Sequence, residues 1–332
     1  MFALASVLLT QIWVCRVDSE FTDFRSSGSQ LAFGTYNSYG LIDLDSGKKK
    51  WAAPLKEGEL GVKVACDGTL IVASIGSGAI VATDSASGKP LWKVQHKGYS
   101  SPITISAGHL YAETAPSKLE AIDTATHKSL WSAPIEPTIK SPEQQIAVAP
   151  LAMGDSLLIG TRAGTVILLD AQGKEQWRSP LSDSPIQSLQ FDDERIYVCS
   201  ARGMLFALGR NTGTVVWRYD VTNAIAGTPL LSEQRLAIVS PGGFVVWVSA
   251  LDGAELWRRT FTKEEDFSVT APISEAEGIL FMRRSGAYAL DQVGRDRWSA
   301  TFVSAASFRT PMRYKTDYIL FDSHAVFRAR VQ

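Results

Sequence analysis

Histidine and cysteine are scarce in this chain, four and three among 332 residues, and neither is arranged for chemistry. His96, His109, His127 and His324 fall in four separate loops or turns, with no i, i+4 pair and no acidic cluster beside them. A zinc site or a nucleophile–base–acid triad needs such convergence, so the sequence offers neither. Cys15, Cys66 and Cys199 lack metal-ligand spacing and lie far apart, which reads as isolated thiols buried as small apolar groups. Excess charge is missing too. A net charge of −1 gives no pull toward nucleic acid or an anionic membrane. No apolar run is long enough to span a bilayer. Phe2 to Leu9 resembles a short signal-peptide core, but no Lys or Arg precedes it and no small-residue cleavage site follows. Long amphipathic helices are absent as well. What remains, 45% apolar and 20% charged, is a composition that packs a core.

Tryptophan supplies the order. Trp51, Trp92, Trp131, Trp177, Trp217, Trp257 and Trp298 recur at nearly even spacing, the widest gap falling between Trp131 and Trp177. A period of about 40 residues announces a repeat architecture. Half a repeat before each Trp lies a short β-branched or aromatic core, such as Leu70-Ile-Val-Ala-Ser-Ile75 or Ile196-Tyr-Val-Cys-Ser-Ala201. An eighth core, Tyr318–Ser323, follows the last Trp. A weaker strand precedes each core, often opening near a proline (Pro102, Pro150, Pro229, Pro272, Pro311), where no ladder donor is lost. A third strand and the Trp strand complete each unit of four antiparallel strands, A to D.

A glycine stands four residues before the Trp in six units, where a tight turn requires positive φ. His127 takes that place in the third unit, which predicts a strained or differently shaped turn. The units ending at Trp177 and Trp298 are one residue shorter between Asp and Gly, which predicts another turn type. Eight four-stranded sheets at even spacing are the signature of an all-β, eight-bladed β-propeller. A stacked β-solenoid would show shorter repeats.

The last unit ends after its third strand, Ala325–Ala329, while Ile12-Trp13-Val14 stands about one repeat before Trp51, in register with the other Trp strands. The N-terminal strand is therefore expected to close the last blade, removing two sheet edges that invite aggregation. This leaves residues 1–10 as a surplus apolar leader or degraded strand, and 11–332 as a single propeller domain.

The regularly spaced Trp residues, Trp13 included, read as blade-packing side chains rather than a ligand-stacking set. Trp247, outside the register, reads as a buried third-strand residue. Gly76-Ser77-Gly78 precedes no helix and so implies no phosphate loop. Lys48, Lys89, Lys128 and Lys174 decorate equivalent solvated turns. The B–C and D–A connections must share one end of the blades. There Arg162, Arg202, Arg283 and Arg284 follow the core strands, beside the long connection around Glu136 to Gln145. Arginine forks pair with carboxylates and stack on rings, so this end is expected to meet an acidic partner.

The turn motif carries a resemblance. Ala82-x-Asp84-x-x-Ser87-Gly88-x-x-x-Trp92 and Ala121-x-Asp123-x-x-Thr126-x-x-x-x-Trp131 resemble the tryptophan motif of pyrroloquinoline-quinone (PQQ) repeat propellers. That family includes quinoprotein dehydrogenases and the outer-membrane assembly lipoprotein BamB, both eight-bladed. The dehydrogenase branch implies adjacent cysteines beside the quinone and a calcium site, and this sequence has no adjacent cysteines and no long blade insertions. Its bare blades are similar to those of the BamB branch. That implies a non-catalytic scaffold, periplasmic or outer-membrane associated, without cofactor or metal, monomeric in isolation, whose partner is an envelope assembly protein. Trp13-Val14-Cys15 departs from that pattern, having a bulky residue where a lipobox has a small one. The alternatives are a PQQ- or other small-ligand-binding oxidoreductase using the central channel, and an extracytoplasmic sensor domain of a larger protein.

Overall fold

The computed structural model describes residues 9–57, 59, 61–96, 100–136, 145–182, 184–261, 269–276, 278–283, 286–301 and 309–331. Their regular structure is all β, eight four-stranded antiparallel sheets that form the blades of a propeller. Among them no helix is long and apolar enough to cross a membrane. The first strand, β1 (Leu9–Arg16), joins the C-terminal sheets.

One compact unit runs from Val17 to Ile186. Blade 1 is β2 (Phe21–Ser27), β3 (Gln30–Thr35), β4 (Ser38–Asp43) and β5 (Lys49–Pro54). Blade 2 is β6 (Val62–Cys66), β7 (Leu70–Ile75), β8 (Ala79–Asp84) and β9 (Pro90–Gln95). Blade 3 is β10 (Thr104–Ser106), β11 (His109–Ala115), β12 (Lys118–Asp123) and β13 (Ser129–Pro134). Blade 4 is β14 (Leu151–Met153), β15 (Ser156–Gly160), β16 (Thr165–Leu169) and β17 (Glu175–Pro180).

The other unit comprises Gln187–Gln332 with the segment through Arg16. Blade 5 is β18 (Ile186–Phe191), β19 (Arg195–Ser200), β20 (Met204–Gly209) and β21 (Val215–Asp220). Blade 6 is β22 (Leu230–Ser232), β23 (Arg235–Ser240), β24 (Phe244–Ser249) and β25 (Glu255–Thr260). Blade 7 is β26 (Ile273–Glu275), β27 (Gly278–Arg283), β28 (Gly286–Asp291) and β29 (Asp296–Thr301). Blade 8 has the order β30 (Met312–Tyr314), β31 (Asp317–Phe321), β32 (Ala325–Val331) and then β1.

Burial follows strand position. The two middle strands of a blade are covered on both faces, so β7 and β8 are buried almost without interruption, and their sequences are continuous apolar runs. The outer strand β9 is buried chiefly at Trp92. The predicted turn difference is present. Gly47, Gly88, His127, Gly213 and Gly253 each donate their N–H to a carbonyl four residues back, whereas Gly173 and Gly294 donate to one three residues back. The missing residue therefore shortens the turn and leaves the strand intact.

β1 pairs antiparallel with β32 from Leu9↔Val331 to Arg16↔Ala325, with a register shift between Gln11 and Trp13. The N-terminal strand thus closes blade 8, as the position of Trp13 predicts. It starts at Leu9, so it takes in the last two residues read as surplus; residues 1–8 lie outside those described. Within this blade the buried Asp317 accepts Arg330 Nε at 2.5 Å and Arg328 Nε at 2.6 Å. These guanidiniums, Arg330 foremost, hold its carboxyl below the usual range.

Candidate functional site

The turn glycines meet the tryptophans of the preceding blade. Trp51 Nε1 donates to the Ser85 carbonyl at 2.9 Å, Trp131 to Ala171 at 2.9 Å, Trp217 to Ala250 at 3.0 Å and Trp257 to Gln292 at 2.7 Å. A Cβ added at Gly88, Gly173, Gly253 or Gly294 would lie under 3.0 Å from the indole concerned. The glycine therefore supplies both a left-handed φ and a flat seat for the ring. Trp92 faces His127 instead, with ring centroids 5.2 Å apart. Its Nε1 is buried without a hydrogen-bond partner. Trp298 packs on Tyr318, and the Nε1 of Trp13 is buried and unpartnered. Trp177 lies on β17. Trp247, on β24, is buried against Trp257.

The arginines do not form the single exposed set that the sequence suggested. Arg162 and Arg202 are exposed in the turns after β15 and β19, one in each compact unit. Arg283 is 3% exposed, its guanidinium over the rings of Phe261 (4.7 Å) and Tyr288 (5.0 Å). Its register explains this. Other blades carry Thr35, Ser74, Thr161, Ser200 and Ser240 there, all buried. A one-residue shift along a strand reverses the face, so Arg283 is one position too early to emerge with Arg162. Arg284, which shares the register of Arg162, lies outside the described residues.

Sequence reasoning missed two buried carboxylates at the same end of the first unit. Glu113 on β11 accepts the main-chain N–H groups of Ser117, Gln145 and Ile146. Burial pushes its carboxyl above the usual range, while these amides and the Arg162 charge pull it back. Glu136 accepts Thr161 Oγ1 at 2.9 Å and Arg178 Nη1 at 3.1 Å. Together they hold both described ends of the long connection between β13 and β14. The signal was an acid at the fourth position of the core Leu110-Tyr-Ala-Glu-Thr-Ala115, a position where the other cores carry small or apolar residues.

Cys15, Cys66 and Cys199 lie on β1, β6 and β19 and are not joined in disulfides. Burial pushes Cys66 up to about 11 and Cys199 up to about 12, so they are poor nucleophiles. Among the described residues, no three His, Cys, Asp or Glu side chains are grouped to hold a metal ion.

Compared with known proteins, the chain matches the family described as outer membrane protein assembly factor BamB over residues 39–189 and 162–317. The factor of that name from Yersinia pestis is 22% identical over 310 residues, covering 82% of this chain and 77% of that protein. That from Nitrosomonas eutropha is 23% identical over 187 residues, 52% of this chain and 43% of its own length. The chain thus spans less than half of the second relative. A quinohemoprotein alcohol dehydrogenase from Pseudomonas putida is 26% identical over 231 residues, 62% of this chain and 31% of the enzyme. Among solved structures, BamB from Moraxella catarrhalis superimposes with a TM-score of 0.74 at 18% identity, covering 97% of this chain and 98% of that one.

Proposed function

We propose a function from one premise: the chain belongs to the outer membrane protein assembly factor BamB family. On that premise it is a non-enzymatic scaffold of the bacterial envelope, periplasmic or outer-membrane associated. It holds another protein component during outer-membrane protein assembly and needs no cofactor. The observation that carries this reading is the family match, which extends across residues of both compact units. Contact with an acidic partner is made at exposed arginines in the turns after the core strands, Arg162 in one unit and Arg202 in the other, because loops on a rigid scaffold are where binding usually resides. The test is expression in a Gram-negative strain lacking its own factor of this family, read by porin level and by copurification of the assembly machinery. Restoration is expected, with Arg162→Glu and Arg202→Glu each weakening it about tenfold at unchanged melting temperature. Equal loss from Lys48→Glu and Lys89→Glu would move the contact to the opposite end. No restoration by the unaltered chain would end the scaffold reading.

A second reading, an oxidoreductase, is favoured by the similarity to the Pseudomonas putida dehydrogenase. For the calcium that this reading implies, no three His, Cys, Asp or Glu side chains are grouped among the described residues. Titration with quinone and calcium distinguishes the two. A saturable absorbance change with a higher melting temperature would favour the enzyme.

A further inference from the structure

Glu113 stands where no other blade has an acid. In the same register lie Gly34, Ala73, Gly160, Cys199, Val239 and Met282, all small or apolar. Its side chain is fully buried, and a buried charge is retained only when its partners compensate the lost hydration. Those partners identify its task. Ser117 N–H reaches Oε1 at 2.8 Å, from a turn residue with a left-handed φ of 59°. Gln145 N–H is shared between Oε1 at 2.8 Å and Oε2 at 2.9 Å, and Ile146 N–H reaches Oε2 at 2.8 Å. One carboxylate therefore ties the β11–β12 hairpin of blade 3 to the segment that enters blade 4.

That segment holds Arg162. The Gln145 carbonyl accepts the Arg162 N–H at 2.8 Å, Ile146 bridges Thr161, and Ala147 N–H donates to the Gly160 carbonyl at 2.9 Å. The Thr161 hydroxyl is meanwhile held by Glu136, itself paired with Arg178. Charge-assisted bonds to main-chain amides are stronger than neutral ones. Glu113 thus fixes a backbone path of two peptide units that ends at the Arg162 turn, and the Arg162 charge acts back on its carboxylate.

We propose that Glu113 is a positioning residue for partner binding: it fixes the Gln145–Ile146 segment, and through that segment the direction in which Arg162 is offered to an acidic protein surface. This rests on the scaffold reading, with Arg162 at the contact. The experiment uses the full chain carrying Glu113→Gln, close in size but without the second acceptor oxygen. Three quantities are read: amide hydrogen exchange, the Arg162 side-chain Nε–H resonance, and restoration of porin levels in the strain lacking its own factor.

The expected result is about tenfold or faster exchange at Ser117, Gln145 and Ile146, with β7 and β8 unchanged. The Arg162 resonance should move, and restoration should fall to the level of Arg162→Glu. A role confined to core stability would leave that resonance in place. If Glu113→Gln does not fold, Glu113→Met, the residue that blade 7 carries in this register, takes the same measurements. Unchanged exchange and an unmoved resonance overturn the inference. Normal restoration by the Glu113 variant, with loss in Arg162→Glu, overturns it while the scaffold reading stands. Normal restoration by both variants removes Arg162 from the contact and overturns the inference, while the scaffold reading stands; no restoration even by the unaltered chain ends that reading.

Discussion

The junction between blades 1 and 2 and the junction between blades 2 and 3 each use the tryptophan of the fourth strand, Trp51 and Trp92, and differ at one turn residue. At the first, Trp51 lies over Gly88 and its Nε1 reaches the Ser85 carbonyl at 2.9 Å. At the second, His127 occupies the turn at a φ of 63° and its ring meets Trp92 at an interplanar angle of 40°. The Trp92 Nε1 is buried without a hydrogen-bond partner. A left-handed non-glycine residue costs about 1–2 kcal/mol, and an unsatisfied buried donor about 1–3 kcal/mol. The ring contact offsets about 0.5–1.5 kcal/mol. The second junction is therefore the weaker. Glycine matters here for two separable reasons, its backbone freedom and the room it leaves for the indole.

The largest effect is expected from removing the ring itself. Trp51→Ala and Trp92→Ala should each lower unfolding stability by about 3–5 kcal/mol in urea titrations. A small loss at either would mean that the indole does not join its two blades. Next comes transplanting the weak turn: Gly88→His should cost about 2–4 kcal/mol through strain and overpacking. A neutral result would show that the glycine seat is dispensable. The reciprocal change, His127→Gly, should stabilise by about 1–2 kcal/mol as strain is relieved and the indole regains a carbonyl. If stability falls, the imidazole–indole contact outweighs both penalties.

Phenylalanine separates the hydrogen bond from the ring. Trp51→Phe should cost about 1 kcal/mol more than Trp92→Phe, because only Trp51 has a bond to lose. Equal costs in chemical denaturation would remove the proposed difference. The smallest effect concerns acid. Asp84 and Asp123 are held below the usual carboxylate range, chiefly by the Ser87 and Thr126 hydroxyls. A depressed carboxyl contributes stability that is present above its unfolded value, about 3.9, and lost as pH falls through its folded value. Both turns should weaken together below about pH 4, leaving their contrast unchanged. Melting of Asp84→Asn and Asp123→Asn across that range checks this.

Much of the fold was legible because it repeats. Each Trp, each turn glycine and each apolar core recurs with the same period, so the sheets, the shortened turns before Trp177 and Trp298, and the closing role of Trp13 could be read from spacing. The candidate site was less legible because it resides in exceptions to the repeat. Arg283 looked like Arg162 in sequence, but its place in the strand register turns it inward onto Phe261 and Tyr288. Glu113 looked like one residue of a core strand. Its main-chain partners come from the hairpin at Ser117 and, far downstream, from Gln145 and Ile146 at the entry to the next blade.

By itself the sequence determined what local rules control: where strands alternate with turns, which turns demand left-handed backbone, and how many four-stranded units form. Such features depend on residues a few positions apart. Tertiary structure alone decided which carboxylate is buried under three converging amides, which arginine is exposed and which is stacked, and which indole lacks a carbonyl. Those outcomes depend on distances between segments far apart in the chain, set by how one sheet packs on the next.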